Sequence, residues 1–236
     1  MKSLRFTLSG KTGFFKIPEV NAIHYFTYGN IHKPALLGIL GAVEGYGGYT
    51  QQKERGDVFP EYYEKLRKLG VSIVPLIETG YFEKKIQQFN NSVGYASGEN
   101  GGNLIVSEQW LEEPAWTVYV RLDCPEAEKL ADRMMRGDCV YMPYLGKNDH
   151  PASIADVEVV ELETADAEGR VLDCLAPADV REDDGDYDFR YQEYLPVELE
   201  PDTNQYISRK FILTDAELVH CDEQVYGDEG RYLVFY

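Results

Sequence analysis

An alternating strand that runs straight into an amphipathic helix constrains this fold more than any other part of its 236 residues. In AWTVYVRLD (Ala115–Asp123), Trp116, Val118, Val120 and Leu122 recur at the period of two that a half-buried strand requires. PEAEKLADRMMRG (Pro125–Gly137) follows at once, with Ala127, Leu130, Ala131 and Met134 on a single helical stripe. Joined so tightly, the two must share one core. A strand also opens the chain: KSLRFTL (Lys2–Leu8) alternates Leu4, Phe6 and Leu8 and stops at Ser9-Gly10, ahead of a helix over about Pro34–Glu44. Between these pairs lies PEYYEKLRKLG (Pro60–Gly70), proline first and glycine last as helix punctuation asks. VSIVPLI (Val71–Ile77) then reads as a strand whose Pro75 places it at an edge or a bulge. With Cys139–Met142 as the fourth strand, the order is βαββαβ, the ferredoxin-like (RRM-like) pattern of an α+β domain.

The first helix carries an internal conflict. Leu36, Leu37, Ile39, Leu40 and Val43 make it a buried helix, yet Gly38, Gly41 and Gly45 sit inside that run. A glycine in a helix interior costs roughly 1 kcal/mol against alanine, so a backbone or a ligand is expected to come unusually close. Pro34 suits the first turn, and His32 and Lys33 stand before it. An open helix start beside basic residues is expected to hold an anion.

The connection Glu78–Pro114 is too long for a tight turn. Its amides, Lys84, Lys85 and small turn-forming residues ahead of Leu104-Ile105-Val106 suit a projecting hairpin, about residues 81–113. After residue 155 the strand-like runs ADVEVVELE, DYDFRYQEYLPVEL, NQYISRKFIL and RYLVFY give a small, mainly β C-terminal domain over residues 156–236. The expected division is therefore 1–155 and 156–236.

The net charge of −18 argues against nucleic acid, but its distribution does not. Residues 1–90 hold 12 Lys and Arg against 8 Asp and Glu, whereas residues 91–236 hold 11 against 33. Phosphate binding follows the local field, so the N-terminal part keeps that option. The acidic stretch 166–202 reads as a solvated surface. Four dispersed cysteines and four histidines show neither C-x-x-C nor H-x-x-x-H spacing, so no metal centre and no cofactor are expected. No run of about 18 apolar residues offers a membrane span, and no secretory h-region opens the chain, so cytoplasmic residence is expected.

One late loop, PYLGKNDHPA (Pro143–Ala152), has Gly146 for an unusual backbone angle and Lys147, Asn148 and His150 as donors. The strand ending in Leu-Ser-Gly, the Thr27-Tyr28 approach, the PALLGILGAVEG helix, the FNNSVGYAS arm with its EQWL continuation, and this LG-x-x-x-x-PA loop occur in one order. Together they resemble the Cas-five family of CRISPR-associated proteins, most closely its type I-B branch, over about residues 1–160. The resemblance implies a subunit of Cascade, the RNA-guided antiviral surveillance complex. There, a ferredoxin-like domain with a protruding thumb caps the 5′ handle of the CRISPR RNA. It also contacts the repeated backbone subunit and the large subunit, and meets target DNA only indirectly. Tyr81–Glu113 resembles that thumb, and the helix from Pro34 and the loop Gly146–His150 resemble handle contacts.

Single-stranded RNA is held by amides and hydroxyls on base edges, aromatic stacking and basic phosphate contacts. The residues expected to supply these are Lys11, Lys16, Asn21, Lys33, Lys53, Arg55, Lys84, Lys85, Asn90, Asn91 and Tyr95, with Gly146, Lys147, Asn148 and His150 of the late loop. The aromatic RNP1 pattern of an RRM is missing, so contact is expected through helix starts and arm. Related type I-C subunits cut the precursor RNA, but no residues here match their catalytic groups. A non-catalytic binding and assembly role leads. The alternatives are a metal-independent endoribonuclease using His24 and Tyr28, and a ferredoxin-like module that binds small ligands or proteins without RNA.

Overall fold

The computed structural model describes residues 1–19, 24–100 and 102–236. The N-terminal half contributes β1 (Lys2–Ser9), the short β2 (Thr12–Gly13), α1 (Lys33–Glu44), α2 (Tyr49–Arg55), α3 (Glu61–Leu66) and β3 (Val71–Pro75). It continues with β4 (Lys84–Asn90), β5 (Ile105–Glu112), β6 (Ala115–Arg121), α4 (Pro125–Met135) and β7 (Ser153–Glu161). Eight shorter or later strands complete the chain: β8 (Glu163–Ala165), β9 (Ala176–Pro177), β10 (Arg181–Asp184), β11 (Arg190–Leu199), β12 (Tyr206–Thr214), β13 (Glu217–Cys221), β14 (Val225–Asp228) and β15 (Arg231–Leu233).

The central sheet is antiparallel in the order β3-β6-β1-β7, the strand order of a ferredoxin-like fold. Leu4 pairs with Val120, Phe6 with Val118 and Leu8 with Trp116, so the alternating apolar sets stack on one face. α1 and α4 cover that face, burying Leu36, Leu37, Leu40, Leu130 and Met134 in one core. Each such side chain contributes on the order of 1.5–3 kcal/mol by leaving water. Val71–Pro75 forms the edge strand that its proline suggests. That edge is closed: Val71 exchanges main-chain hydrogen bonds with Tyr236, and Leu175 donates to the Ile73 carbonyl.

The fourth strand is β7, not Cys139–Met142. Residues 139–142 have no regular structure; the Val140 and Tyr141 N–H groups instead donate to the Val43 and Ala42 carbonyls, each at 3.0 Å, satisfying the end of α1. β7 holds most of the run ADVEVVELE, expected as a strand of the C-terminal domain; Asp156 adopts a positive φ of 52° and the register against β1 shifts between Arg5 and Thr7, so the strand does not keep period two. Ile154 and Val157 therefore pack on the helix-side core, while Val160 packs on the reverse side. Residue 155, the expected division of the chain, lies within this strand.

The reverse face of the sheet is covered by C-terminal strands. Tyr119 and Val74 join Leu172, Cys174, Leu218, Leu233 and Val234 in a second core. At its border Arg5 pairs with Asp228 and Glu158, both at 2.6 Å, and the Tyr119 hydroxyl donates to Asp228 at 2.8 Å. An open RRM-type sheet face is thus absent among the described residues. Functional surface must lie elsewhere.

β4 and β5 form a long hairpin, paired from Lys84–Leu111 to Asn90–Ile105, with β2 on the other side of β5. Lys84, Ile86, Gln88 and Asn90 are exposed along one face of β4, and Tyr95 beyond it is 83% exposed. This is the projecting hairpin expected between the second and third strands.

Candidate nucleic-acid interface

A cleft of about 950 Å³ opens where α1, the foot of the hairpin and the late loop meet. α1 forms its floor through Pro34, Ala35, Gly38, Ile39 and Ala42. Gly38 matters here because it presents no side chain: a Cβ at this position would meet only Tyr62 Cε2, at 3.9 Å. Gly41, one turn on, has a different task. Its missing Cβ admits Tyr62 of α3, whose Cβ would be overlapped by any larger residue. Of the two helix glycines, one serves packing between helices and the other leaves the cleft open.

Seven tyrosines line the cleft: Tyr25, Tyr46, Tyr49, Tyr62, Tyr141, Tyr144 and Tyr206. Burial raises the pKa of Tyr62 and Tyr206, the latter to about 12, so both are neutral phenols. Tyr49, Tyr141 and Tyr144 are about half exposed at the rim, beside Met142 at 75%. Lys16 supplies a cation, its Nζ 4.1 Å above the Tyr25 ring. Gly146 holds a left-handed φ of 85° and lies so close to the Phe14 carbonyl oxygen that a Cβ would overlap it. That contact brings Lys147 into the cleft wall.

Lys147 does not stand free. Its Nζ donates to both carboxylate oxygens of Glu108, at 3.1 and 3.0 Å. Neutral aromatic faces dominate the cleft, with Lys16 exposed and Lys147 partnered. Such a lining favours unstacked bases over a cluster of phosphates.

The expected anion site at the start of α1 is closed. His32 is buried and caps the helix itself, its Nδ1 accepting the Ala35 N–H at 3.3 Å. Burial lowers its pKa to about 3, so the ring is neutral. Tyr28, Phe15 and Tyr206 pack edge-on around it. Lys33 turns away and donates to the Tyr236 main-chain oxygen at 2.8 Å. Burial lowers the pKa of Lys33 to about 8. Tyr28, named with His24 for the cleavage alternative, is 5% exposed and packs edge-on to His32.

The remaining expected residues fall into groups. Lys84, Lys85, Asn90, Asn91 and Tyr95 lie on the hairpin; Lys85 pairs with Glu112 at 2.8 Å and Asn90 accepts from Ser92. Lys53 and Arg55 are exposed on α2, with Arg55 paired to Glu61 at 3.3 Å. Lys11 is exposed between β1 and β2, and Asn148 is exposed in the late loop. His150 is buried, its Nδ1 2.6 Å from Thr12 Oγ1 and its ring edge-on to Trp110, so it braces the loop rather than facing the cleft. Asn21 lies outside the described residues. Among the described residues no group of three or more metal-binding side chains occurs, and no helix is long and apolar enough to cross a membrane.

The tyrosine cluster and Glu108 were not singled out from the sequence. The available signal was compositional: 18 Tyr against 10 Phe and 2 Trp, with Tyr46, Tyr49 and Tyr62 around a glycine-rich turn.

No protein-family model and no curated protein matches this sequence. Solved structures do. One, described as a CRISPR RNA-guided surveillance complex, superposes with a TM-score of 0.51 at 16% identity, covering 92% of this chain and 91% of that one. A crystal structure of a CRISPR protein from Archaeoglobus fulgidus gives 0.52 at 14% identity, covering 99% and 98%. At these identities the likeness is one of fold, and it extends along nearly the whole chain.

Proposed function

We propose that this chain is a non-catalytic subunit of a CRISPR RNA-guided surveillance complex of the Cascade type, serving antiviral defence. In this reading it caps the 5′ handle of the CRISPR RNA, with unstacked bases in the tyrosine cleft and the strand passing beneath the hairpin. The observation that carries the reading is the convergence at one opening of α1, the Gly146 loop and the foot of the hairpin. The whole-length likeness in fold to a protein of a surveillance complex supports it. The covered rear face of the sheet supports it too, because RNA then has no RRM-type platform to use.

The hairpin, with Ile86, Ile105 and Tyr95 exposed, is the part that reaches the repeated backbone subunit. The large subunit, and through it target DNA, completes the set of partners. A net charge of −18 makes the isolated chain a weak RNA binder whose affinity falls steeply with salt. Neighbouring subunits are expected to supply the missing positive surface.

Co-expression with the backbone and large subunits and a repeat-containing RNA tests this. The expected result is a complex that retains this chain and an RNA ending in a defined 5′ handle. Repeat RNA incubated without metal should be bound and left intact. Cleavage would favour the endoribonuclease reading. A complex that assembles without this chain, or without RNA, would remove the proposal.

A further inference from the structure

Glu108 lies on β5 at the foot of the hairpin and faces the cleft from a buried position, with its side chain 7% exposed. Besides Lys147, it accepts the indole N–H of Trp110 at 2.8 Å. Its main chain is fixed as well, paired with Gln87 on β4 and bridged to Tyr25. The carboxylate is therefore anchored. Lys147 sits on a loop, 31% exposed, with its ammonium also 3.3 Å from Asp149 and 5.2 Å from the centre of the Phe89 ring.

An ammonium has three N–H groups; Glu108 takes Lys147 with both oxygens and directs it along the cleft wall, and the third acceptor in reach, the exposed Asp149 carboxylate, is the one an incoming phosphate would replace. The same carboxylate lies within a few ångströms of any anion that Lys147 could take, and it opposes that anion. Position and charge thus act in opposite directions.

We propose that Glu108 is a positioning residue that aims Lys147 at a backbone phosphate of the bound RNA, while its charge limits how tightly that phosphate is held. The proposal rests on the RNA reading of the cleft. Glutamine at 108 keeps an acceptor and the side-chain volume but removes the charge; alanine removes all three.

Equilibrium binding of labelled repeat RNA to the assembled complex, measured across a salt range, tests it. Glu108→Gln should bind about 3- to 10-fold tighter at low salt, with the gain shrinking as salt rises. Glu108→Ala should lose most of that gain, and Lys147→Met should bind more weakly than wild type. In the Lys147→Met background, Glu108→Gln should gain less than it does alone. An unchanged or weakened Glu108→Gln complex with wild-type melting temperature would overturn the proposal, as would Glu108→Ala binding as tightly as Glu108→Gln. Should Glu108→Gln fail to fold, Lys147→Met binding as wild type does would overturn it independently. Wild-type complex that binds no RNA would overturn the RNA reading along with it, whereas wild-type binding unmoved by these changes overturns this proposal alone.

Discussion

Gly41 and Tyr62 are in such close contact that a Cβ on the glycine would overlap the tyrosine Cβ and lie 3.2 Å from Cγ. This contact seats α3 against α1, and it separates the two helix glycines by role. Gly41→Ala should lower stability by about 1–3 kcal/mol through overpacking. Gly38→Ala should leave stability unchanged or raise it by up to about 1 kcal/mol through helix propensity. Urea melts of the two variants check this, and the reverse order would contradict the packing of α1 on α3.

His32 links stability to pH. Its folded pKa of about 3 lies below the ordinary 6.5 because burial disfavours the charged ring. The unfolded chain therefore binds a proton over that interval while the folded chain does not. The contribution is complete above about pH 6.5 and is lost as pH falls toward 3. His32→Asn, which retains a capping side chain, should show a flatter stability profile between pH 6.5 and 5, above the range in which carboxylates titrate. Equal slopes in wild type and variant would contradict a buried neutral His32.

Arg5 fastens the C-terminal hairpin β14–β15 to the rear of the sheet. Arg5→Met leaves the Asp228 side chain, 7% exposed, without its cation while Tyr119 still donates to it. The expected loss is about 3 kcal/mol, the scale for stranding a buried charge. Thermal melts check this. A loss below about 0.5 kcal/mol, the range of an exposed pair, would contradict the clasp.

Lys84 and Lys85 are consecutive on β4; Lys85 pairs with Glu112 at 2.8 Å, and the exposed Lys84 acts on the Glu193 carboxylate. Changing both to Glu should reduce RNA retention in the assembled complex and lessen its salt dependence by about 1–2 phosphate contacts. The melting temperature should stay within a few degrees of wild type. Unaltered yield and RNA content in the double variant would contradict a role for the hairpin in RNA capture.

Strand and helix periodicity made most of the α+β core legible: Leu4, Phe6, Trp116, Val118 and the α4 stripe all lie where their spacing places them. β7 was legible as a strand in ADVEVVELE but was assigned to the C-terminal domain, because the bulge at Asp156 changes which residues face inward halfway along it. The start of α1 was misread because histidine is not a usual N-cap, and only the folded core shows its ring turned onto the Ala35 amide. The cleft had no linear signature. Its tyrosines come from segments separated by up to 181 positions, from Tyr25 to Tyr206, and meet only once the helices and the C-terminal strands have packed.

Zero-length photo-crosslinking of a 4-thiouridine-substituted repeat RNA to the assembled complex, with adducts located by mass spectrometry, tests the central claim most directly. Adducts are expected on rim tyrosines Tyr49, Tyr141 and Tyr144 and along the hairpin from Lys84 to Tyr95. Adducts confined to the C-terminal strands β11–β13, with the rim tyrosines unmodified, would contradict the cleft as the site where RNA is held.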